Sequence, residues 1–328
     1  MFKQLAGLAV HHSGAIELVR RLNENQVRIL MYHRFPRQHG ASFEKQCSFV
    51  AANYHVVSLS EAVQRLKRNE PLTNMIVLTM DDGYADVHEV AFPILQKYRL
   101  PATLFITTGF IKRTCWMPGD RVRYHFAQTA AETVTVTDEA NRVHAFRTKG
   151  THASDEFRAL LKRVPERTKR RMLSELDGDL PVLDAASMST QYRPCTWAQL
   201  RELADGGIAM GAHTVTHPIL SRVEAATEAE QEIIQSKTEI EQELQRPVES
   251  FAYPNGMRED ISQISVNCVR AHFKSAVTAV AGLNAPGSDL HGLLRLPCEP
   301  DLSVPQMARL LAGPVRRNSA QQPTAYLS

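Results

Sequence analysis

Six consecutive residues, Met75-Ile-Val-Leu-Thr-Met80, are apolar but for one threonine, and Asp81-Asp82-Gly83 follows them directly. A strand that is apolar on both faces has to be covered on both faces, which is the situation of a parallel sheet wrapped in helices. Two adjacent carboxylates at its end repel each other unless something positive sits between or beside them. Asp-Gly is also an ordinary turn signal. Taken alone, the fragment leaves turn and functional site about even.

The rest of the chain repeats the strand–helix rhythm. Val27–Tyr32, Tyr54–Ser58, Pro101–Thr107, Ile208–His213, Val248–Tyr253 and Ser275–Val280 read as strands. Phe43–Ala52, Leu59–Asn69, Ala85–Leu100, Glu224–Gln245, Ile261–His272 and a stretch capped by Thr196 read as helices. Ser60 is the expected cap of the Leu59 helix, and Pro93 is expected to kink the Ala85 helix. The alternation predicts an α/β fold on a parallel sheet, barrel-like, with its motifs at the C-terminal ends of strands. From about Cys115 to Arg193 the rhythm breaks. A hairpin over Val134–Phe146 turns near Asp138–Asn141, and a charged helix runs over Asp155–Leu176. This reads as an insertion that forms a lid or one wall of a cleft.

Bulk properties exclude several classes. With 43% apolar and 22% charged residues in 328, the chain suits a globular protein. A net charge of +3 is too small to argue for nucleic acid, and the run Arg167-Thr-Lys-Arg-Arg171 reads as a solvated helix face. Five scattered cysteines without a CxxC read as reduced thiols rather than a disulfide framework. No signal peptide is evident in Met1–Val10, and no stretch is long and apolar enough to span a bilayer, so the expected location is cytoplasmic. Residues 1–24 can form an amphipathic helix, with Phe2, Leu5, Leu8, Ile16, Val19 and Leu22 on or near one face. That face either docks on the protein's own body or makes peripheral membrane contact.

A second fragment, Gly211-Ala-His213-Thr-Val-Thr-His217-Pro218, places two imidazoles at i, i+4 after a strand. HxxxH is weak alone. Added to a strand-end carboxylate, it makes a three-ligand divalent-metal site with positions open for water, and leaves the second carboxylate free as a base. Phe251-Ala-Tyr253-Pro254-Asn255-Gly256 is a third strand end. An exposed tyrosine there could bind a substrate oxygen and a backbone N–H could stabilise an oxyanion; the alternative is a plain turn. His33, at the end of the first strand, has equal claims as a rim residue and as a site residue. Trp197 reads as core. Trp116 opens the insertion, where it either stacks on a sugar ring or packs inside.

These residues resemble the NodB-homology polysaccharide deacetylases, carbohydrate esterase family 4. Thr79-Met-Asp81-Asp82-Gly83 resembles their Thr-Phe-Asp-Asp-Gly motif, and His213-Thr-Val-Thr-His217 their His-Ser/Thr-x-x-His motif. Phe251–Gly256 resembles one form of the third motif, and Leu30-Met-Tyr-His33-Arg34 a signature of exopolysaccharide-type members. The similarity covers about Val27 to Pro300.

The resemblance implies a distorted (β/α) barrel with an inserted hairpin and helix region, a divalent metal such as Zn²⁺, and hydrolysis of N-acetyl groups on an oligo- or polysaccharide. It implies Asp82, His213 and His217 as ligands, Asp81 as general base, and the Tyr253 backbone N–H at the oxyanion. Tyr253, Pro254, Asn255 and Trp116 are the implied substrate contacts. It divides the chain into a helical segment (1–26), a deacetylase domain (27–314, core from about 75) and an unstructured tail (315–328). Met80 replaces the usual aromatic. The third motif lacks the family's arginine, for which Arg295 can substitute. The late motif, Leu294-Arg-Leu-Pro-Cys-Glu299, lacks the histidine acid, leaving His291 or Glu299 as speculative donors. The leading function is thus a metal-dependent N-deacetylase of a glycan or glycan precursor in exopolysaccharide biosynthesis. An O-acetyl esterase and a non-catalytic glycan-binding or assembly protein are the alternatives.

Overall fold

The computed structural model describes residues 15–150, 152–176 and 190–313. The expectations for residues 1–14 and for the tail at 315–328 lie outside the described residues. Ten strands occur among the described residues: β1 (Arg28–Tyr32), β2 (His55–Val56), β3 (Met75–Met80), β4 (Ala102–Ile106), β5 (Thr133–Thr137), β6 (Val143–Arg147), β7 (Ile208–Ala212), β8 (Ser250–Ala252), β9 (Ser275–Ala281) and β10 (Leu293–Pro297).

Seven of these close into a parallel ring in the order β1–β3–β4–β7–β8–β9–β10, because β1 pairs with both β3 and β10. The result is a (β/α) barrel, one strand short of the usual eight. It is distorted further by the three-residue β8 and by a register shift between β9 and β10 at Leu293–Arg295. β2 pairs with only the first two residues of β3.

Side-chain parity decides what each face holds. Ile29, Met75, Val77, Phe105, Val277 and Leu293 pack together with Leu59, Val63 and Leu66 of helix Leu59–Arg68. The opposite parity, Leu30, Tyr32, Ile76, Leu78, Met80, Leu104 and Ile106, packs in the main core with the surrounding helices. Both faces of β3 are therefore covered, which is why its run is almost continuously apolar.

Between β4 and β7 the chain leaves the ring. Helix Pro118–Gln128, hairpin β5–β6 and helices Ala153–Leu161 and Glu166–Glu175 share their own apolar centre, which includes Phe126, Val136, Phe146, Phe157 and Met172. The single helix expected over Asp155–Leu176 is two, since Pro165 precedes the second and cannot continue the first. The helix expected over Ala85–Leu100 is a π-turn, Val87–Ala91, followed by helix Phe92–Lys97. Pro93 has no N–H to give, and the Phe92 N–H before it bonds five residues back to the Val87 carbonyl.

The cap of helix Leu59–Arg68 also differs from expectation. Ser58, not Ser60, is extended and accepts the Glu61 N–H at 3.1 Å. β10 and the last helix, Val304–Ala312, were not read as elements from the sequence. Arg28, fully buried in β1, ties that helix down by donating to the Leu311 carbonyl at 2.5 Å. All five cysteines are free.

Residues Ala15–Leu22 form a helix on which Leu18 and Leu22, one turn apart, are 61% and 62% exposed. Among the described residues no helix is long and apolar enough to cross a membrane. The cap assignment is checked by denaturant unfolding: Ser58→Ala should cost about 1 kcal/mol, and Ser60→Ala close to nothing.

Candidate metal centre and active site

Asp81 and Asp82 follow β3 directly, where a regular strand would aim them at opposite faces. Asp81 keeps the inward parity of Val77 and Thr79, and its N–H continues the pairing to the Tyr32 carbonyl at 3.0 Å. Asp82 turns out of the strand with φ 77°, and Gly83 follows at φ 95°. A Cβ on Gly83 would meet the Ile111 Cδ1 tip at 2.9 Å, but it is the positive φ that requires glycine there. The two turns bring both carboxylates to one end of the barrel.

The histidines are positioned by the loop after β7. The His213 N–H continues the β4 pairing to the Ile106 carbonyl at 2.9 Å. Its Nδ1–H donates to the Ala252 carbonyl at 2.7 Å, which fixes the tautomer and turns Nε2 toward the site. Thr214 and His217 take left-handed φ values of 65° and 59°. This strained turn is held by Thr214, whose hydroxyl accepts the His217 N–H at 3.1 Å. It is held also by Glu232, buried on helix Ala226–Leu244, which accepts the Val215 and Thr216 N–H groups at 2.8 Å each and the Thr216 hydroxyl at 2.6 Å.

Thr107, at the end of β4, ties the two halves together. Its N–H donates to the Asp82 carbonyl at 3.3 Å and its hydroxyl to the His213 carbonyl at 3.1 Å.

One carboxylate oxygen and two Nε2 atoms converge as a result. Asp82 Oδ1 lies 3.6 Å from His213 Nε2 and 3.7 Å from His217 Nε2, and the three ligand atoms all lie within 4.8 Å of one another. Asp82 Oδ1 is buried with no hydrogen-bond partner. Burial pushes the Asp82 carboxyl up and the His217 imidazole well down, so the protein alone makes either charge unfavourable here. An orphaned buried oxygen facing two imidazole nitrogens, one of them in a fixed tautomer, fits a divalent cation.

Asp81 has a different partner. Arg295 on β10 donates from its two terminal nitrogens to Oδ1 and Oδ2, both at 2.7 Å, in a fork of which each side chain is almost wholly buried. Arg295 is itself braced by the Thr278 carbonyl at 2.7 Å and the Thr79 hydroxyl at 3.2 Å. Burial alone would raise the Asp81 pKa; the Arg295 charge and hydrogen bonds outweigh it and lower the value from 3.8 to about 2. His33 Nε2 lies 3.9 Å from Asp81 Oδ2.

The third motif departs from expectation. Tyr253 is not exposed: it is 1% accessible, its ring packs edge-on against Phe251, and its hydroxyl donates to the His291 carbonyl at 3.2 Å. Its backbone N–H, expected at the oxyanion, donates to the Val277 carbonyl at 3.2 Å. Pro254 is buried, while Asn255, at φ 57°, lines the cavity above the ligands. That cavity, of about 290 Å³, is bordered by His33, Asp82 and His217 on the barrel side and by the insertion on the other. Trp116 packs against Tyr124 and Tyr192, with ring centroids at 5.2 and 5.7 Å, and is not part of the lining.

Two contributors were missed in the sequence. Thr107 stands at a strand end, the one signal that could have flagged it. Glu232 sits among many glutamates on its helix and gave none.

Two outcomes follow from this geometry. Glu232→Ala should free the turn between the imidazoles and weaken metal affinity about 10- to 100-fold in a chelator-competition titration. Asp81 has a lowered folded pKa, so its contribution is fully present above about pH 3.8 and is lost as pH falls toward about 2. Urea unfolding between pH 4 and pH 2 should therefore show about 2 kcal/mol less loss in Asp81→Asn than in the parent.

Residues 68–268, more than half of the chain, match the family model described as polysaccharide deacetylase. The Bacillus subtilis (strain 168) protein YxkH, a polysaccharide deacetylase candidate, is 33% identical over 88 residues, 24% of this chain and 30% of that relative's own length. Among solved structures, the Streptococcus pyogenes deacetylase PplD in complex with acetate superposes with a TM-score of 0.57 at 20% identity, covering 87% of this chain and 98% of that one. IcaB from Ammonifex degensii gives 0.54 at 18% identity, covering 88% and 97%. The deacetylase domain of BpsB from Bordetella bronchiseptica gives 0.54 at 16%, covering 84% and 97%. The barrel, the two matched strand-end motifs and the family match agree: this chain belongs to the polysaccharide deacetylase family, hydrolases acting on carbon–nitrogen bonds other than peptide bonds.

Proposed function

We propose that the protein is a Zn²⁺-dependent deacetylase that hydrolyses N-acetyl groups on a polysaccharide or glycan precursor. The observation that carries this reading is the orphaned Asp82 Oδ1 facing two imidazole nitrogens beside an ionised Asp81. The acetate bound to the Streptococcus pyogenes relative supports the acyl group. The Leu30-Met-Tyr-His33-Arg34 signature supports a setting in exopolysaccharide biosynthesis.

Asp82, His213 and His217 would hold the ion. When bound, it supplies Lewis-acid polarisation of the acetyl carbonyl and acidifies a water molecule. Asp81 takes the proton of the attacking water. Arg295 keeps it ionised at every working pH and keeps it in place, at the expense of basicity, so it suits a water that gives up its proton readily. The Tyr253 N–H is given to the Val277 carbonyl at 3.2 Å, so the oxyanion role is not assigned to it.

The leaving amine needs a proton. His291 is engaged elsewhere, its Nε2 at 2.9 Å from the Phe273 carbonyl, and Glu299 is exposed. His33 lines the cavity beside Asp81 and is assigned as the donor. The absent late histidine, which motivated the non-catalytic alternative, is thereby replaced from β1. Asn255 provides a polar contact for the sugar; Trp116, with its two tyrosines, braces the base of the insertion rather than stacking on substrate.

Acetate release from N-acetylated oligosaccharides with Zn²⁺ or Co²⁺ tests the assignment. Asp81→Asn should lower kcat by about 10²- to 10⁴-fold, and undiminished activity would refute the base. His213→Ala should lose bound metal by elemental analysis. His33→Gln should slow amide hydrolysis about 10²-fold while sparing aryl acetates, whose leaving group departs without a proton. Equal slowing on both substrates would remove His33 from the donor role.

A further inference from the structure

The cavity over the metal ligands has a wall that a neutral acetamido sugar does not call for. Arg34, Arg123, Arg158, Lys162 and Lys169 all line it, against two acids, Asp82 and Asp120. Asp82 belongs to the metal ligands. Asp120 is already engaged on both oxygens, by the Tyr84 hydroxyl at 2.6 Å and Arg123 at 3.0 Å.

The acids that hold three of the cations are not part of the lining. Asp86 holds Arg34 at 3.0 Å, Asp155 holds Arg158 at 3.1 Å, and Glu166 holds Lys169 at 2.6 Å. Each acid holds the cation at one head-group nitrogen, which fixes the head group beside the cavity. An arginine engaged at one nitrogen keeps further donors for a ligand.

The guanidinium groups of Arg123 and Arg158 both approach Gly119, and the Arg123 charge acts on Arg158. A Cβ on Gly119 would lie 3.5 Å from Arg158 Nε and 3.7 Å from Arg123 Nη1. Two like charges bordering one bare Cα repel each other, and an oxyanion between them relieves the repulsion with charge-assisted hydrogen bonds. Lys169, with only 6% of its side chain exposed, completes a buried cationic floor, and the exposed Lys162 stands at the rim.

Resting on the deacetylase reading of the same site, we infer that the substrate is an N-acetylated sugar carrying an anionic oxyacid group, phosphoryl or carboxyl, seated against Arg123, Arg158, Lys162 and Lys169. The acetyl group lies toward Asp82 and His217, and the anion lies toward the insertion. The five cations belong to Arg34 after β1 and to the region between β4 and β7. That region therefore selects the substrate, while the strand ends of the barrel act on it.

Calorimetric titration of the metal-loaded full chain tests this with three probes. These are N-acetylglucosamine 1-phosphate, a glucuronyl-N-acetylglucosamine disaccharide and the neutral N,N′-diacetylchitobiose. At least one charged probe should bind about tenfold tighter than the neutral one, with the gap narrowing as salt rises. Which charged probe wins assigns phosphoryl or carboxyl. In Arg158→Gln/Lys162→Gln the gap should fall below about threefold, and in the charge-preserving Arg158→Lys/Lys162→Arg it should largely persist.

Neutral and charged probes binding alike would overturn the inference. So would an anion preference that survives undiminished in Arg158→Gln/Lys162→Gln, since the anion would then be seated away from these two side chains. The affinity gap is read from the fast binding heats, whether or not acetate is released afterwards. A failure of acetate release therefore counts against the deacetylase reading and leaves this test standing.

Discussion

The Asp81–Arg295 fork is the contact on which the site depends. Stripping water from two charges costs several kcal/mol per ion, and only good geometry with further hydrogen bonds repays it. Here the geometry is bidentate, and the Thr278 carbonyl and Thr79 hydroxyl take up two of the three remaining guanidinium donors. β10 and β3 do not pair with each other; both pair with β1, so the fork spans that strand from inside the ring. A single interaction thus sets the charge of Asp81, aims it, and links two strands that share no backbone bond.

The second constraint is backbone strain, of which four of the ten left-handed non-glycine positions among the described residues lie in the site loops. Asp82, Thr214, His217 and Asn255 all have left-handed φ values, and all belong to the loops that carry site residues. Non-glycine residues hold such angles only where their surroundings enforce them. The enforcing groups are identifiable: Thr107 for the Asp82 turn, Glu232 and the Thr214 hydroxyl for the histidine turn. Asp82, His213 and His217 are thus pre-positioned by groups outside the cluster they form.

What the sequence revealed and what it hid follow from the range of the interactions. The apolar run of β3, the flanking helices and the strand-end motifs are local patterns, and they were legible. Helix boundaries at Pro93 and Pro165 were misjudged because a proline's effect depends on whether the chain widens, as at Val87–Ala91, or stops, as before Glu166. Arg295 could be offered only as a substitute, because its meeting with Asp81 spans 214 residues. Tyr253 looked exposed because a strand-end turn conceals which way the preceding side chain faces. Glu232 was invisible, since its role depends on which turn the helix face meets. His33 was undecided until the ring closed and set the end of β1 beside that of β3.

Thr107 and His213 stand on adjacent strands, yet about a hundred residues of chain separate them, and most of that length carries its own apolar centre. The ring closes across this excursion by β4–β7 pairing, and the ends of the excursion bond back to Gly83, Ala85, Thr214 and Val215. A lineage can therefore recharge or reshape the self-packed centre of the excursion while its two ends stay bonded beside the site. Descendants of one hydrolytic engine could in this way come to serve different glycans.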